Sequence, residues 1–316
     1  MIMDSFRIAF NAILPFLIYI VFGAMTVKLG WVTETVLKKF NTLVFKAFFP
    51  ILMFCNMYNM DTGFKVDWGF IGYVLATILL LIGFLVLVIP RWVSDSGTRG
   101  SVIQGIYRSN LVLFALPLTQ SIYGESCMVQ AAMLIAFAVP VYNVAAVIIL
   151  EYYGSGGKAD IRLLLRGIVT NPIIIGILVG LIFHFTGIQV PAVIYRSLSK
   201  FSDMATPLGL FILGGTLKFA SLRDDLHLLV PSLAVKMVIL PVIFYAAAYF
   251  FLPFSNLQRF LVLITHATPV AVSSFAMADN MGCNGRLAGE FVVLSTVISA
   301  GSLFLFIFFL SMAGLL

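Results

Sequence analysis

Two long apolar stretches of this chain are interrupted near their middles by polar, helix-breaking residues. One carries Arg108-Ser109-Asn110 with Pro117 following, and the other carries His266-Ala267-Thr268-Pro269. In hydrocarbon an unpaired backbone N–H or C=O costs several kcal/mol, so an interrupted helix persists only where protein, water or a ligand satisfies the freed groups. Interruptions at matching places in two half-chains are the best sequence pointer to the binding site of a secondary carrier.

The bilayer setting follows from composition. Hydrophobic residues make up 61% of the chain and charged residues 10%, where soluble domains are about a quarter charged; the mean hydropathy is +1.09. Apolar runs of about 20 residues, the length a bilayer core demands, are predicted at 7–29, 36–58, 68–90, 98–123, 127–150, 161–185, 191–218, 226–252, 256–281 and 286–313. The expected fold class is therefore an all-α integral membrane protein of ten transmembrane helices, with the fourth and ninth broken. The first run exceeds signal-peptide length and lacks a small-residue cleavage site, so it is read as a retained helix.

The net charge of +6 does not mark a nucleic-acid partner, because the nineteen Lys and Arg are scattered along the chain, most of them near the ends of apolar runs, and form no basic stripe. They orient the chain instead. Lys28, Lys38, Lys39, Arg91, Arg99, Lys158, Arg162, Arg166, Lys218, Arg223 and Arg286 fall on one side, and only Arg7, Lys65, Arg196 and Arg259 on the other. The positive-inside rule puts the first group in the cytoplasm and both termini outside the cell membrane. Cys55, Cys127 and Cys283 have neither CxxC spacing nor a nearby His, so no metal site, disulfide framework or cofactor is expected.

The two halves read as repeats. An offset of 157 pairs Pro15 with Pro172, Pro50 with Pro207, Gly23 with Gly180, Gly30 with Gly187 and Lys46 with Asp203; one residue more pairs Asn110 with Thr268 and Gly124 with Gly282. Five spans per half is an odd number, so the second half enters from the opposite face and the 5+5 repeat is inverted. Residues 1–150 form the first repeat, 151–160 a flexible cytoplasmic linker with Gly154-Ser155-Gly156-Gly157, and 161–316 the second. Gly-Gly-Lys158 lacks the spacing of a phosphate-binding loop. Gly176-x-x-x-Gly180 permits close helix packing, within the chain or in a homodimer.

The order and spacing of several segments resemble the auxin efflux carrier family, whose bacterial members include malate and malonate permeases. The segments are Phe40-Asn41 through Phe49-Pro50, Ser109-Asn110 through Pro117 with Tyr123-Gly124, Asn171-Pro172 through Gly180, Asp203 through Pro207-Leu208, and Ala267-Thr268-Pro269 with Ser273-Ser274. The resemblance implies a fold similar to bile-acid symporters and sodium/proton antiporters, in which helices four and nine unwind and cross. Plant members carry a proline just before the crossover asparagine, whereas here Ser109 follows Arg108, so auxin itself is not the expected substrate.

The crossover chemistry stands beside that resemblance. Half-helices that begin at mid-membrane aim free N–H groups and positive dipole ends into a cavity, which favours a carboxylate. Asn110 and Ser109 supply donors, Thr268 a hydroxyl beside Pro269, and Arg108 a planar fork suited to a bidentate carboxylate. Arg108 reads equally as the neutraliser of an internal acid or as a cap on the freed carbonyls. Tyr142 and Asn143 in the fifth span either face the crossover or bond across a helix interface. His266 reads as a proton relay or as a satisfied core residue. Lys46 and Asp203, at equivalent depths, are expected to neutralise one another, with proton coupling by Asp203 as the alternative. Glu290 and Asp279 read as coupling acids or as groups exposed at the cytoplasmic cavity.

The expected activity is secondary transport of a small organic anion, a mono- or dicarboxylate, by alternating access, with proton coupling or potential-driven uniport favoured over sodium. The alternatives are a passive anion channel or uniporter and a sodium-coupled symporter. An enzyme is not expected, since HExxH, GxSxG and close intramembrane acid pairs are lacking.

Overall fold

A computed structural model describes residues 2–60, 66–124, 127–157, 161–217 and 222–316, without the side chains of 2–13, 128, 161 and 163. Every regular element among the described residues is helical. In chain order they are α1 (Ile2–Lys28), α2 (Glu34–Leu43), α3 (Phe49–Tyr58), α4 (Trp68–Val88), α5 (Ser96–Tyr107), α6 (Leu111–Tyr123), α7 (Met128–Gly154) and α8 (Ile161–Thr170). The second part holds α9 (Pro172–Thr186), α10 (Ala192–Thr216), α11 (Leu222–Ala234), α12 (Leu240–Phe251), α13 (Asn256–Ala267), α14 (Ser273–Asn280) and α15 (Gly285–Met312).

Local chemistry sets the ends. Asp67, Asp95, Asn171 and Asn284 accept backbone N–H groups at the starts of α4, α5, α9 and α15, and Ser255 with Gln258 forms a capping box on α13. Single π turns, Val44–Phe48 and Val235–Ile239, join α2 to α3 and α11 to α12. Each lies just ahead of a proline, Pro50 or Pro241, whose ring would clash with the carbonyl one turn back; the wider turn accommodates it.

Five continuous helical stretches are long and apolar enough to cross a membrane: Glu34–Tyr58, Trp68–Arg91, Val129–Gly154, Leu222–Phe251 and Gly285–Met312. A sixth is a pair, Leu164–Thr170 with Pro172–Thr186, bent by 56°. The segment expected as one span over 161–185 is therefore two helices. The reason is local: Asn171 adopts an extended conformation and caps the Ile173 N–H at 2.9 Å, and Pro172 then restarts the helix at its first position. The fourth and ninth expected spans are broken where the sequence predicts, at 108–110 and 268–272. Lys158 and the rest of 158–160 in the expected linker lie outside the described residues.

Glycines bring helix backbones into contact. A Cβ on Gly23 of α1 would lie 1.9 Å from the Phe211 carbonyl oxygen of α10, and one on Gly214 would lie 1.9 Å from that of Ile20. Gly176 and Gly180 bring α9 against Pro50 and Phe54 of α3 in the same way. Trp31, Trp68 and Trp92 are exposed at span ends, as interfacial anchors should be.

Two expectations about charge are corrected. Glu290 is 0% exposed on α15, its Oε1 4.0 Å from Arg286 Nε, so it does not face open solvent. No ion pair joins Lys46 to Asp203 among the described residues; both side chains are exposed, and only Asp203 lines the central cavity. Matching positions in the expected repeat did not bring matching directions, because each helix packs against its own neighbours.

Candidate functional site

The two breaks meet. α5 ends at Tyr107, Arg108 turns extended, and α6 restarts after Asn110; α13 ends at Ala267, Thr268 turns extended, and α14 begins at Ser273. The Asn110 N–H donates to the Pro269 carbonyl at 2.8 Å, and the Ser109 hydroxyl to the Thr268 carbonyl at 3.5 Å. Tyr142 on α7 donates its hydroxyl to the Thr265 carbonyl at 3.1 Å, and the Val270 N–H finds the Ser295 hydroxyl at 2.9 Å. The breaks thus satisfy part of each other's backbone, and α7 and α15 supply further partners, as hydrocarbon surroundings require.

Beside this junction lies a cavity of about 420 Å³. Arg108, Ser109, Asn110, Tyr142, Asn143 and Ser273 belong to its polar lining, with Asn56, Ser202, Asp203 and Thr206. Arg108 is only 2% exposed. Its Nη2 donates to Asn143 Oδ1 at 2.6 Å and to Ser273 Oγ at 2.7 Å, and its Nη1 to Met277 Sδ at 2.8 Å. All three acceptors are neutral. Among the described residues no carboxylate pairs with this guanidinium, which disposes of the internal-acid reading of Arg108 there. Asn143 is held in turn by its own bonds to the Val139 carbonyl and Met53 Sδ, at 2.9 and 3.2 Å. Asn110 starts α6 without a side-chain cap, which leaves its carboxamide for the cavity it lines.

Other sequence candidates lie elsewhere. His266 is buried against Phe244, ring centroids 4.3 Å apart, with Nε2 3.2 Å from Thr77 Oγ1; neither it, Thr268 nor Pro269 lines the cavity. Pro269 acts through its carbonyl, and the Thr268 hydroxyl is buried without a partner. Lys46 and Glu290 are also outside the cavity wall.

One residue was missed. Lys236, 1% exposed in the π turn before α12, donates to Ser109 Oγ at 3.0 Å and to the Ile106 carbonyl at 3.5 Å. It sets a cation at the C-terminal end of half-helix α5, where the helix dipole is negative. A lysine inside the apolar run 226–252 was itself a readable signal. Ser273 entered the sequence reading only as part of a motif, and the structure makes it a direct partner of Arg108.

A family model described as membrane transport protein, which takes in the auxin efflux carriers, matches residues 8–307. The chain belongs to this family. No curated protein matches it. Family membership and the apolar helices together make the chain an integral membrane protein concerned with transport.

Proposed function

We propose that this membrane transport protein is a secondary carrier that binds a small carboxylate where the two broken helices meet and moves it by alternating access. The observation that carries the reading is Arg108. A buried guanidinium that donates only to neutral acceptors, and faces a cavity, keeps its charge for an occupant. The half-helices α6 and α14 begin at the same cavity wall, so their N-terminal dipole ends favour the same negative charge.

The ten-span, 5+5 inverted repeat, with halves 1–150 and 161–316, belongs to this proposal. Helix contacts support it: Gly23 meets the Phe211 carbonyl and Gly180 the Phe54 carbonyl. The offset of 157 that relates Gly23 to Gly180 also relates Phe54 to Phe211. The proposed orientation has both termini outside. On the side this makes cytoplasmic, Asn41 Nδ2 of α2 donates to Asp279 Oδ2 of α14 at 2.7 Å.

The test is thermal stabilisation of the purified protein by carboxylates, followed by counterflow in proteoliposomes. Saturable stabilisation that Arg108→Gln abolishes, with counterflow, supports a carrier. Unsaturable flux without counterflow would replace it with a channel, and strict dependence on sodium would replace proton coupling or uniport with sodium symport.

A further inference from the structure

We infer that the cavity is built for a zwitterion, a small amino carboxylate whose carboxylate lies on Arg108 and whose ammonium lies on Asp203. This rests on the carboxylate reading of Arg108 and narrows it. The cavity wall holds one charge of each sign. Arg108 has neutral partners only, and Asp203, exposed on α10, is in no ion pair among the described residues. The two do not satisfy each other, since no bridge of 4.0 Å or less joins them. Lys46, the partner expected from the repeat, does not line the cavity.

In the proposed ten-span arrangement both charges lie within spans, where an unneutralised charge is costly. A ligand carrying both opposite charges neutralises both at once. A dicarboxylate would neutralise Arg108 and turn its second carboxylate toward Asp203, which adds a repulsive contact; discrimination of this kind comes as much from the clash as from the attraction. A monocarboxylate would leave Asp203 as it is. The lining also holds apolar Phe49, Leu52, Met53 and Val139 beside the neutral polar Asn56, Ser202 and Thr206, so a small ligand with charged ends and methylene groups meets surfaces suited to both. The cavity volume falls within the range of small-molecule sites. Asp203 is thus a specificity-determining residue, and dicarboxylates are poor ligands.

Three probes of one chain length separate the possibilities: butyrate, succinate and 4-aminobutyrate, added at equal concentration and ionic strength to the purified protein, with thermal unfolding as the readout. The parent should be stabilised most by 4-aminobutyrate and least by succinate. Asp203→Asn should weaken apparent affinity for 4-aminobutyrate about tenfold and strengthen that for succinate. Asp203→Glu should keep the parent's ranking, which shows that charge matters and that the first variant's effect is not misfolding. Succinate equal to or better than 4-aminobutyrate on the parent, no shift with any probe, or an unchanged ranking in Asp203→Asn would each overturn the inference. The underlying reading fails separately: if Arg108→Gln binds butyrate as well as the parent does, the carboxylate site is not at Arg108. If Arg108→Gln abolishes binding while succinate ranks first on the parent, the anion site stands and the zwitterion does not.

Discussion

Replacing Arg108 by Gln should separate stability from binding. In the ligand-free protein the change removes a buried cation without a carboxylate partner, relieving a desolvation penalty of several kcal/mol. Against this, Asn143 Oδ1 loses a donor, which costs about 1–3 kcal/mol when the oxygen stays buried. The Ser273 hydroxyl can rotate to another acceptor. Thermal stability of the free protein should therefore hold or rise. Binding should move the other way. A charge-assisted hydrogen bond contributes about 1.5–3 kcal/mol, and a planar fork can make two, so a bound carboxylate should lose roughly a hundredfold in affinity, each tenfold being about 1.4 kcal/mol. Arg108→Lys keeps the charge but loses the fork, and should fall between the two by about tenfold. The assay is thermal unfolding against butyrate and 4-aminobutyrate concentration, in which the shift grows with the logarithm of ligand over dissociation constant. A variant that loses stability when free yet binds both ligands as the parent does would show that Arg108 only holds the crossover together.

Further outcomes follow from particular contacts. Lys236→Met, close in volume, should keep or raise the stability of the free protein while weakening carboxylate binding; an unchanged affinity would confine Lys236 to bracing Ser109 and the end of α5. Asn41→Ala and Asp279→Ala should couple by about 1 kcal/mol in a double-mutant cycle of unfolding, while Lys46→Ala and Asp203→Ala should be additive; a reversal of either result would mean the contacts in the folded protein differ from those described. Gly23→Val and Gly180→Val should each destabilise by about 1–3 kcal/mol or more, since the new atoms meet backbone carbonyls; a neutral result for either, measured by thermal unfolding, would contradict the close approach of α1 to α10 or of α9 to α3. Ser155→Cys, at an exposed position, should resist an impermeant maleimide in intact cells and react after permeabilisation, and rapid reaction in intact cells would invert the proposed topology. Cys283 should contribute little background, because burial, with Asp95 and Glu151 nearby, pushes its thiol up to about 12 and leaves almost no thiolate at neutral pH.

The positions of the breaks were legible in the sequence because their causes are local. Asn, Ser and Pro end helices by their own backbone chemistry, and the bilayer makes every such interruption demand a partner. The membrane class, the helical fold and the break at Arg108, Ser109 and Asn110 were readable on those grounds, whereas Tyr142 and Asn143 stood open between the crossover and a helix interface until packing put them at the same cavity. Tertiary structure decided which way each polar group points. Helices that are apolar nearly all round carry no amphipathic stripe to define an inner face, so their rotation is set by packing, by close approaches such as Gly23 on Phe211 and Gly214 on Ile20. That rotation aims His266 at Thr77 and Phe244 and away from the cavity, buries Glu290, parts Lys46 from Asp203, and brings Lys236 from a distant span onto Ser109. It also leaves Arg108 among neutral partners, the one property of the site from which its charge preference follows and which no spacing along the chain encodes.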